Sequence, residues 1–563
     1  AAGFAFASQK ICSGVHIWKK RQDCPANGSA SRFLVQTIIM HKQGTVILIF
    51  FLFCLLQQSQ AQEKAIDSIA PPMDSTRFIQ IIKADVFRRV KQDSTGDLNL
   101  LIGNVVMKQD NTLFYCDSAA QNVKLNQLEA FGNIHINDAD SVHTYSQYLK
   151  YKGDTRIAEL KKKVKLTDGK GVLTTEALEY DMNAKIGTYL NGGKVVNGES
   201  VLTSKEGFYY TDTRDVYFQK NVKLVDPEYT MTTDTLLYNV NSEVTSFVAA
   251  TTINDGRSRI RTREGFYDLK NGKASFTKRP IIDDSVQTVI ADKIDYDKKS
   301  SSGLADGNVF YRDSAQGISM LSGKAAFNNE FKTINAWMRP MMVFKQDNDS
   351  LFIAADTLYS AYLKKDTARR INSDTIRFFK AYHHVKIFSD SLQGKSDSLY
   401  YSGLDSVFRF YVDPVLWAQG SQISGDTLYL FTKNKKADRF QANENAFTIN
   451  RTPEGLFNQL RGNNMIGQFV DGEIDQFKTK GNSESLYYLQ DQDSSYIGMT
   501  YSMADAIVMK FIKKELKRVT WINGVTGTTY PIKEIPEDKK ELRGFKWLEA
   551  LRPKSVADLI SIQ

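Results

Sequence analysis

Acidic side chains recur once in nearly every stretch of about 29 residues, and a carboxylate held at a fixed place in a pattern is the first candidate for chemistry. They head the motifs Glu176-Ala-Leu178-Glu-Tyr180, Glu206-Gly-Phe208-Tyr-Tyr210, Asp234-Thr-Leu236-Leu-Tyr238, Asp292-Lys-Ile294-Asp-Tyr296 and Asp397-Ser-Leu399-Tyr-Tyr401. Carboxylate catalysis needs two particular acids singled out from the rest. An acid in almost every unit instead does the unit's own structural work, accepting hydrogen bonds where a strand begins. No catalytic residue is therefore assigned. The adjacent His383 and His384 would point to opposite faces of a strand, one ring outward, which is a poor start for a metal site. No metal or other cofactor is expected. In Arg257-Ser-Arg259-Ile-Arg261-Thr-Arg263 the alternation sets four guanidinium groups on one strand face, with Ile260 sharing inward parity with Phe266. That face reads either as a solvated exterior or as a contact for phosphate groups, which arginine binds through paired donors. No nucleophile elbow, P-loop, dinucleotide glycine motif or zinc spacing follows Ala61, so the residues disfavour an enzyme.

The elements that carry these residues are strands. Within each motif the apolar positions alternate with polar ones, the two-residue period of a half-buried strand, and helical spacing is not seen. The anchors run Leu149, Leu178, Phe208, Leu236, Phe266, Ile294, Ala326, Leu358, Leu399, Leu428, Leu456, Leu486. A second strand lies between anchors, beginning at Gly103-Asn104-Val105, Gly132-Asn133-Ile134 or Gly307-Asn308-Val309. Dipeptides that accept positive φ, such as Asp168-Gly169, Asn197-Gly198, Asp255-Gly256 and Asp306-Gly307, punctuate them. Two strands and two turns per unit predict an elongated double sheet. Its interior is either filled by its own side chains or left as an apolar groove for a ligand.

The chain has 563 residues, 42% hydrophobic and 11% aromatic, with a net charge of +9. This is a folding composition, and so mild a basic excess does not call for nucleic acid. Residues 1–39 are read as upstream sequence joined to the protein in error. Residues 40–61 have the form of a signal peptide: Met40-His41-Lys42, an apolar run from Thr45 to Leu56 too short to span a bilayer, and Ser59-Gln60-Ala61 before the cleavage point. Cys54 lies inside the apolar run without the small residues a lipidation site needs. Cleavage leaves Cys116 as the sole thiol and excludes an intrachain disulfide. Residues 62–84 are expected to be a linker, 85–363 the repeats, 364–378 a polar insertion and 379–530 further repeats. In the tail 531–563, Leu542, Phe545, Leu548 and Leu551 recur at the spacing of an amphipathic helix that would close the end of the sheet.

The Gly-Asn-Val strands, the Asp-x-Leu-x-Tyr units and the closing Leu542-Arg-Gly-Phe545-Lys-Trp547 with Arg552-Pro553 resemble the OstA/LptA family of lipopolysaccharide-transport proteins, in the long OstA-like form of Bacteroidota. The resemblance is clearest over residues 85–240. It implies an all-β, open β-jellyroll of two facing antiparallel sheets with a short C-terminal helical tail. It implies an exported chain in the periplasm, associated with the outer membrane, that holds the acyl chains of lipopolysaccharide in an apolar groove. That groove would be lined by Leu149, Tyr151, Leu178, Tyr180, Phe208, Tyr210, Leu236, Tyr238, Phe266, Ile294 and Tyr296. Lysine and arginine would meet the charged head. Strand edges would dock on transport components at the inner and outer membranes, or end to end on further copies. The competing expectation is a structural or adhesive β-repeat protein with a filled core and no lipid. The chain is much longer than the family's short bridge form, and no C-terminal transmembrane barrel is recognised in it.

Overall fold

The computed structural model describes residues 78–91, 96–345, 350–363, 376–434, 436–470, 473–512 and 515–560. The upstream stretch, the signal peptide, most of the linker and the polar insertion to residue 375 lie outside them. Described residues extend the repeats at both limits: Gln80–Lys83 already forms a strand within the span expected to be linker, and Arg377–Phe388 begins a strand inside the expected insertion.

Forty strands among the described residues join in one antiparallel hydrogen-bonded network. A line of corners creases it into two facing sheets. Along Leu98–Gln109 the pairing reads Ile102 with Ser118 and then Val105 with Cys116, so Gly103 and Asn104 together stand opposite Asp117. Two residues against one make a bulge that bends the strand. Gly103 and Asn104 have φ of 78° and 45°, a region that favours glycine and tolerates asparagine. The Gly-Asn pairs are therefore not strand starts. They are the points at which a continuous strand crosses from one sheet to the other. The same applies to Asp306-Gly307, which lies at a corner and not at a turn.

The recurring acid sits across the corner. Asn104 donates to Asp85 at 2.8 Å, Asn133 to Asp117 at 2.9 Å, Asn308 to Asp292 at 2.7 Å and Asn445 to Asp426 at 3.0 Å. The acid's own backbone N–H bonds the first corner carbonyl, as from Asp85 to Gly103, Asp292 to Gly307 and Asp426 to Glu444. Glycine is required at Gly103 because a Cβ there would lie 2.4 Å from the Asp85 carboxylate. The acids thus fasten the crease, as their even distribution implies. His383 and His384 form another such corner, with φ of 61° and 50°, so strand alternation does not apply to them. Both rings lie outside, paired with Asp397 and Asp356. Among the described residues no group of three metal-ligating side chains gathers.

Two large apolar clusters fill the space between the sheets. One runs from Ile79 to Phe276, the other from Ile282 to Met509. Cys116 is buried beside the first corner, where burial and then the charge of Asp117 push its thiol up to about 12. A thiol so far from ionisation is a poor nucleophile. For a chain prepared from residue 62 onward, we expect Ellman's reagent at pH 8 to leave folded protein unlabelled over hours and to titrate one thiol per chain in 6 M guanidinium. Labelling of the native protein within minutes would show that the crease opens.

The tail carries the expected short helix, but at Ala557–Ile560 and not across Leu542–Leu551, where the helical spacing places it. Short 3-10 turns occur at Glu537–Lys539 and Glu549–Leu551, and one helical turn at Ala557–Ile560. Between them the chain runs as a strap across the outer face of one sheet. Gln459 donates to the Lys540 carbonyl and accepts from the Leu542 N–H; Gln422 does the same with Lys546 and Leu548; Gln393 accepts from Arg552. Gln459 and Gln422 replace backbone hydrogen bonds that a helix would have made internally, and Gln393 holds the Arg552 side chain. Leu542 packs on Phe447, Ile449, Leu486, Tyr488 and Met499, while Phe545 and Trp547 meet Phe457.

Candidate functional site

The interior between the sheets has a creased side and an open side, the mouth, where hairpin turns of one sheet face those of the other. Leu149, Tyr151, Leu178, Tyr180, Leu236 and Ile294 lie inside and almost fully buried, while Tyr238 and Tyr296 pack partly buried against the same interior. Phe208, Tyr210 and Phe266 do not line it. Tyr209 is the buried ring in its strand, Phe266 is 45% exposed, and Tyr267 turns inward. The cause is a one-residue slip in the motif. It is Lys205, not Glu206, whose N–H meets the corner carbonyl of Lys220, and a shift of one residue moves every side chain to the opposite face.

Corrected in this way, the inward tyrosines stand at 151, 180, 209, 238, 267 and 296, a constant step that the sequence displays and that acid-based alignment obscures. The first four bond the facing sheet through their hydroxyls. Tyr151 donates to Gln109, with Arg156 pairing to Asp110 alongside. Tyr180 donates to Asp138 at 3.0 Å, and Tyr209 to Asp168 at 2.6 Å with Arg214 adding a bond at 2.9 Å. Asn197 donates to the Tyr238 hydroxyl at 3.3 Å. This is a zipper of cross-sheet bonds along the mouth. Its firmest tooth is Asp168. Burial opposes the charge of that carboxylate, but the bonds from Tyr209, Gly171 and Lys170 and the Arg214 charge hold it below the ordinary range.

The next two teeth are not fastened. By the same spacing Tyr267 should meet Asp226 and Tyr296 should meet Asp255, yet no hydrogen bond joins either pair among the described residues. Asp226 accepts from Ser200 at 2.6 Å, and Asp255 bonds within its own turn. Here a cavity of about 610 Å³ opens between the sheets. Leu202, Phe218, Leu224 and Leu236 form its apolar floor, and Tyr229, Tyr238 and Tyr267 its walls. Asp226 and Glu228 rim it from one sheet; Glu243, Lys270, Lys298 and Lys299 rim it from the other. An ion pair between Lys298 and Glu228 crosses the gap. Farther along the mouth closes again where Asp313 meets Tyr362 and Arg377. A second cavity of about 500 Å³ lies near the C-terminal end, over Leu460, Phe477 and Met509.

The four arginines considered for phosphate contact all lie exposed, on an outer strand face that borders neither cavity. Arg261 is paired with Asp283 on the neighbouring strand. Ile260 turns inward as expected, although Phe266 does not share its side. Missing from the expected set were Tyr209, Tyr267, Tyr229, Glu228 and Lys298. The first two were legible in the tyrosine step; the others belong to hairpin turns, where no period marks them.

The creased double sheet, the corner acids and the inward tyrosines repeat most regularly in the N-terminal units, and it is these units that match a known family. Residues 76–234 match the OstA-like protein family. The match covers the teeth at Tyr151, Tyr180 and Tyr209 and reaches the wall of the cavity at Tyr229. Beyond it the OstA-like pattern persists in geometry: the N–H of Asp397, Asp426 and Asp505 bonds a corner carbonyl as Asp85 does. The OstA-like family is associated with lipopolysaccharide transport, which gives the chain a coarse link to that lipid. No curated protein matches the chain.

Proposed function

We propose that the chain is a non-catalytic periplasmic carrier that shields the acyl chains of lipopolysaccharide between its two sheets and bridges inner- and outer-membrane machinery. The observation that carries this reading is the mouth. An apolar interior is closed along one side by side-chain bonds, which can open without breaking the backbone ladder, and it already opens into a cavity of about 610 Å³. That volume is in the range of small-molecule sites. Each methylene removed from water contributes about 0.8 kcal/mol, so one acyl chain gains several kcal/mol there. The terminal strands favour bridging: Ile82 and Phe87 are more than half exposed on Gln80–Lys83 and Val86–Val90, and an open edge is a template for another strand.

A filled structural repeat is the second reading, because Leu149, Tyr151 and Ile294 show no exposure. Mass spectrometry of organic extracts separates the two, using protein purified gently from its native compartment with a refolded sample as control. Stoichiometric acylated species in the native sample support the carrier; their absence supports the filled repeat. Filling the cavity with Leu224→Trp should cut recovered lipid at least tenfold with little change in melting temperature. Phe208→Ala on the outer face should leave recovery unchanged. Equal recovery from the Leu224→Trp variant would remove this cavity from the lipid path.

A further inference from the structure

We propose that the mouth over this cavity, spanned by the edge-to-face rings of Tyr229 and Tyr267, is a side port through which the acyl chain of a phosphorylated lipid passes between the sheets, with Lys298, Lys299 and Lys270 receiving its phosphate. The inference rests on the carrier reading and adds to it a place and a trigger.

Three observations converge. First, the zipper is interrupted locally: the tyrosines and turn acids continue in step, yet the bonds across the mouth stop after Asn197 and Tyr238. The sequence would allow a fastened tooth at Tyr267, and the structure leaves it unfastened. Second, the lips are oppositely charged. Asp226 and Glu228 project from one sheet; three lysines project from the other, with Glu243 the acid among them. An anion arriving there is drawn to a single lip. Third, what crosses the mouth here is weak: an edge-to-face contact of Tyr229 with Tyr267 and one ion pair. The Lys298 and Glu228 side chains of that pair are 46% and 66% exposed, and ion pairs so exposed to solvent contribute little. The fastenings on either side are deeper: the Asp168 side chain is 6% exposed and that of Asp313 is fully buried.

The chemistry follows from competition for Lys298. A phosphate offers several charged oxygens to adjacent ammonium groups, against one carboxylate from Glu228, and charge-assisted bonds of this kind are the strong ones. When phosphate takes Lys298, Glu228 is released and the acidic lip loses its tether. The apolar floor is then exposed to the acyl chain attached to that same phosphate. A free inorganic phosphate would satisfy the lysines and nothing else, whereas a phosphorylated acyl lipid satisfies the rim and the floor together. That is why the lipid is the occupant assigned.

The test uses the full mature chain and lipid A presented in detergent micelles. A photo-reactive residue at position 267 should crosslink lipid at least fivefold more than one at position 151, inside the fastened zipper. Lys298→Glu with Lys299→Glu should lower uptake at least tenfold at unchanged melting temperature. Glu228→Gln should raise the uptake rate severalfold. If wild-type protein takes up lipid but the lysine variant does so equally and position 267 gives no excess crosslink, the port is wrong and the carrier stands. If folded wild-type protein takes up no lipid, both fall. If inorganic phosphate binds the lysines while lipid uptake ignores their loss, the site is one for free anions and the port is likewise overturned.

Discussion

Replacing Arg377 with leucine will lower the unfolding free energy by about 3–5 kcal/mol, because it strands a carboxylate that no water reaches. The Asp313 side chain is 0% exposed and that of Arg377 3%. Arg377 lies flat on Tyr362, 4.4 Å from the ring centroid, and donates from Nη1 to Ser360 at 3.0 Å. Its Nε is 3.2 Å from Asp313, close enough for ion pairing but not aligned as a hydrogen bond. Removing the cation leaves its partner desolvated and uncompensated, whereas removing both with apolar groups of similar size can be nearly neutral. Urea denaturation of Arg377→Leu, and of the double variant with Asp313→Leu, reads the difference. The double variant should recover most of the loss. A single-variant cost below about 1 kcal/mol would mean that this fastening does not hold the mouth.

The second large effect concerns the strap. A chain ending at Tyr530 would expose the outer faces of Trp417, Ile449, Leu486 and Met499, all essentially buried in the intact protein. It would also leave Gln422 and Gln459 without their backbone partners and Gln393 without the Arg552 guanidinium. Loss of Leu542 alone is worth about 2–5 kcal/mol by analogy with large-to-small core changes. Each stranded buried amide adds about 1–3 kcal/mol. We expect the truncated protein to self-associate at micromolar concentration and to unfold at clearly lower urea. Gln422→Leu isolates one anchor and should cost about 1–3 kcal/mol without self-association. A truncated chain that stays monomeric with an unchanged midpoint would show that the strap merely lies on the sheet.

The all-β fold, the unit of about 29 residues and the structural duty of the acids were legible because each repeats, and repetition averages out local exceptions. Facing was harder. Lys205 and Glu206 are both polar, so nothing in the composition tells which of them meets the corner, and the wrong choice sends Phe208 inward in place of Tyr209. The Gly-Asn pairs announced a backbone irregularity at Gly103 and Gly132, but not whether the chain turns back there or crosses to the other sheet. That distinction depends on the facing strand, which lies far away in sequence. The strap was misread for a related reason. Leu542, Phe545 and Leu548 have helical spacing, yet two distant glutamines, Gln459 and Gln422, supply bonds to the tail backbone and overrule the local period. The gap in the zipper was invisible, since Tyr267 and Asp226 keep their positions in the pattern and differ from fastened pairs in geometry alone.

The strap also alters how the molecule comes apart. In a stack where each unit touches its immediate neighbours, opening can begin at either end and travel inward one unit at a time. From Met341 to Met499 that freedom is lost, because one segment is anchored in turn on Gln459, Gln422, Gln393 and the Met341–Ala354 pair, so no unit beneath it can detach without peeling the segment away. The C-terminal half is thereby bound into a single cooperative block. Among the described residues the N-terminal units carry no such cross-tie and can breathe individually. Slow amide exchange should accordingly spread evenly beneath the strap and grade away towards Gln80.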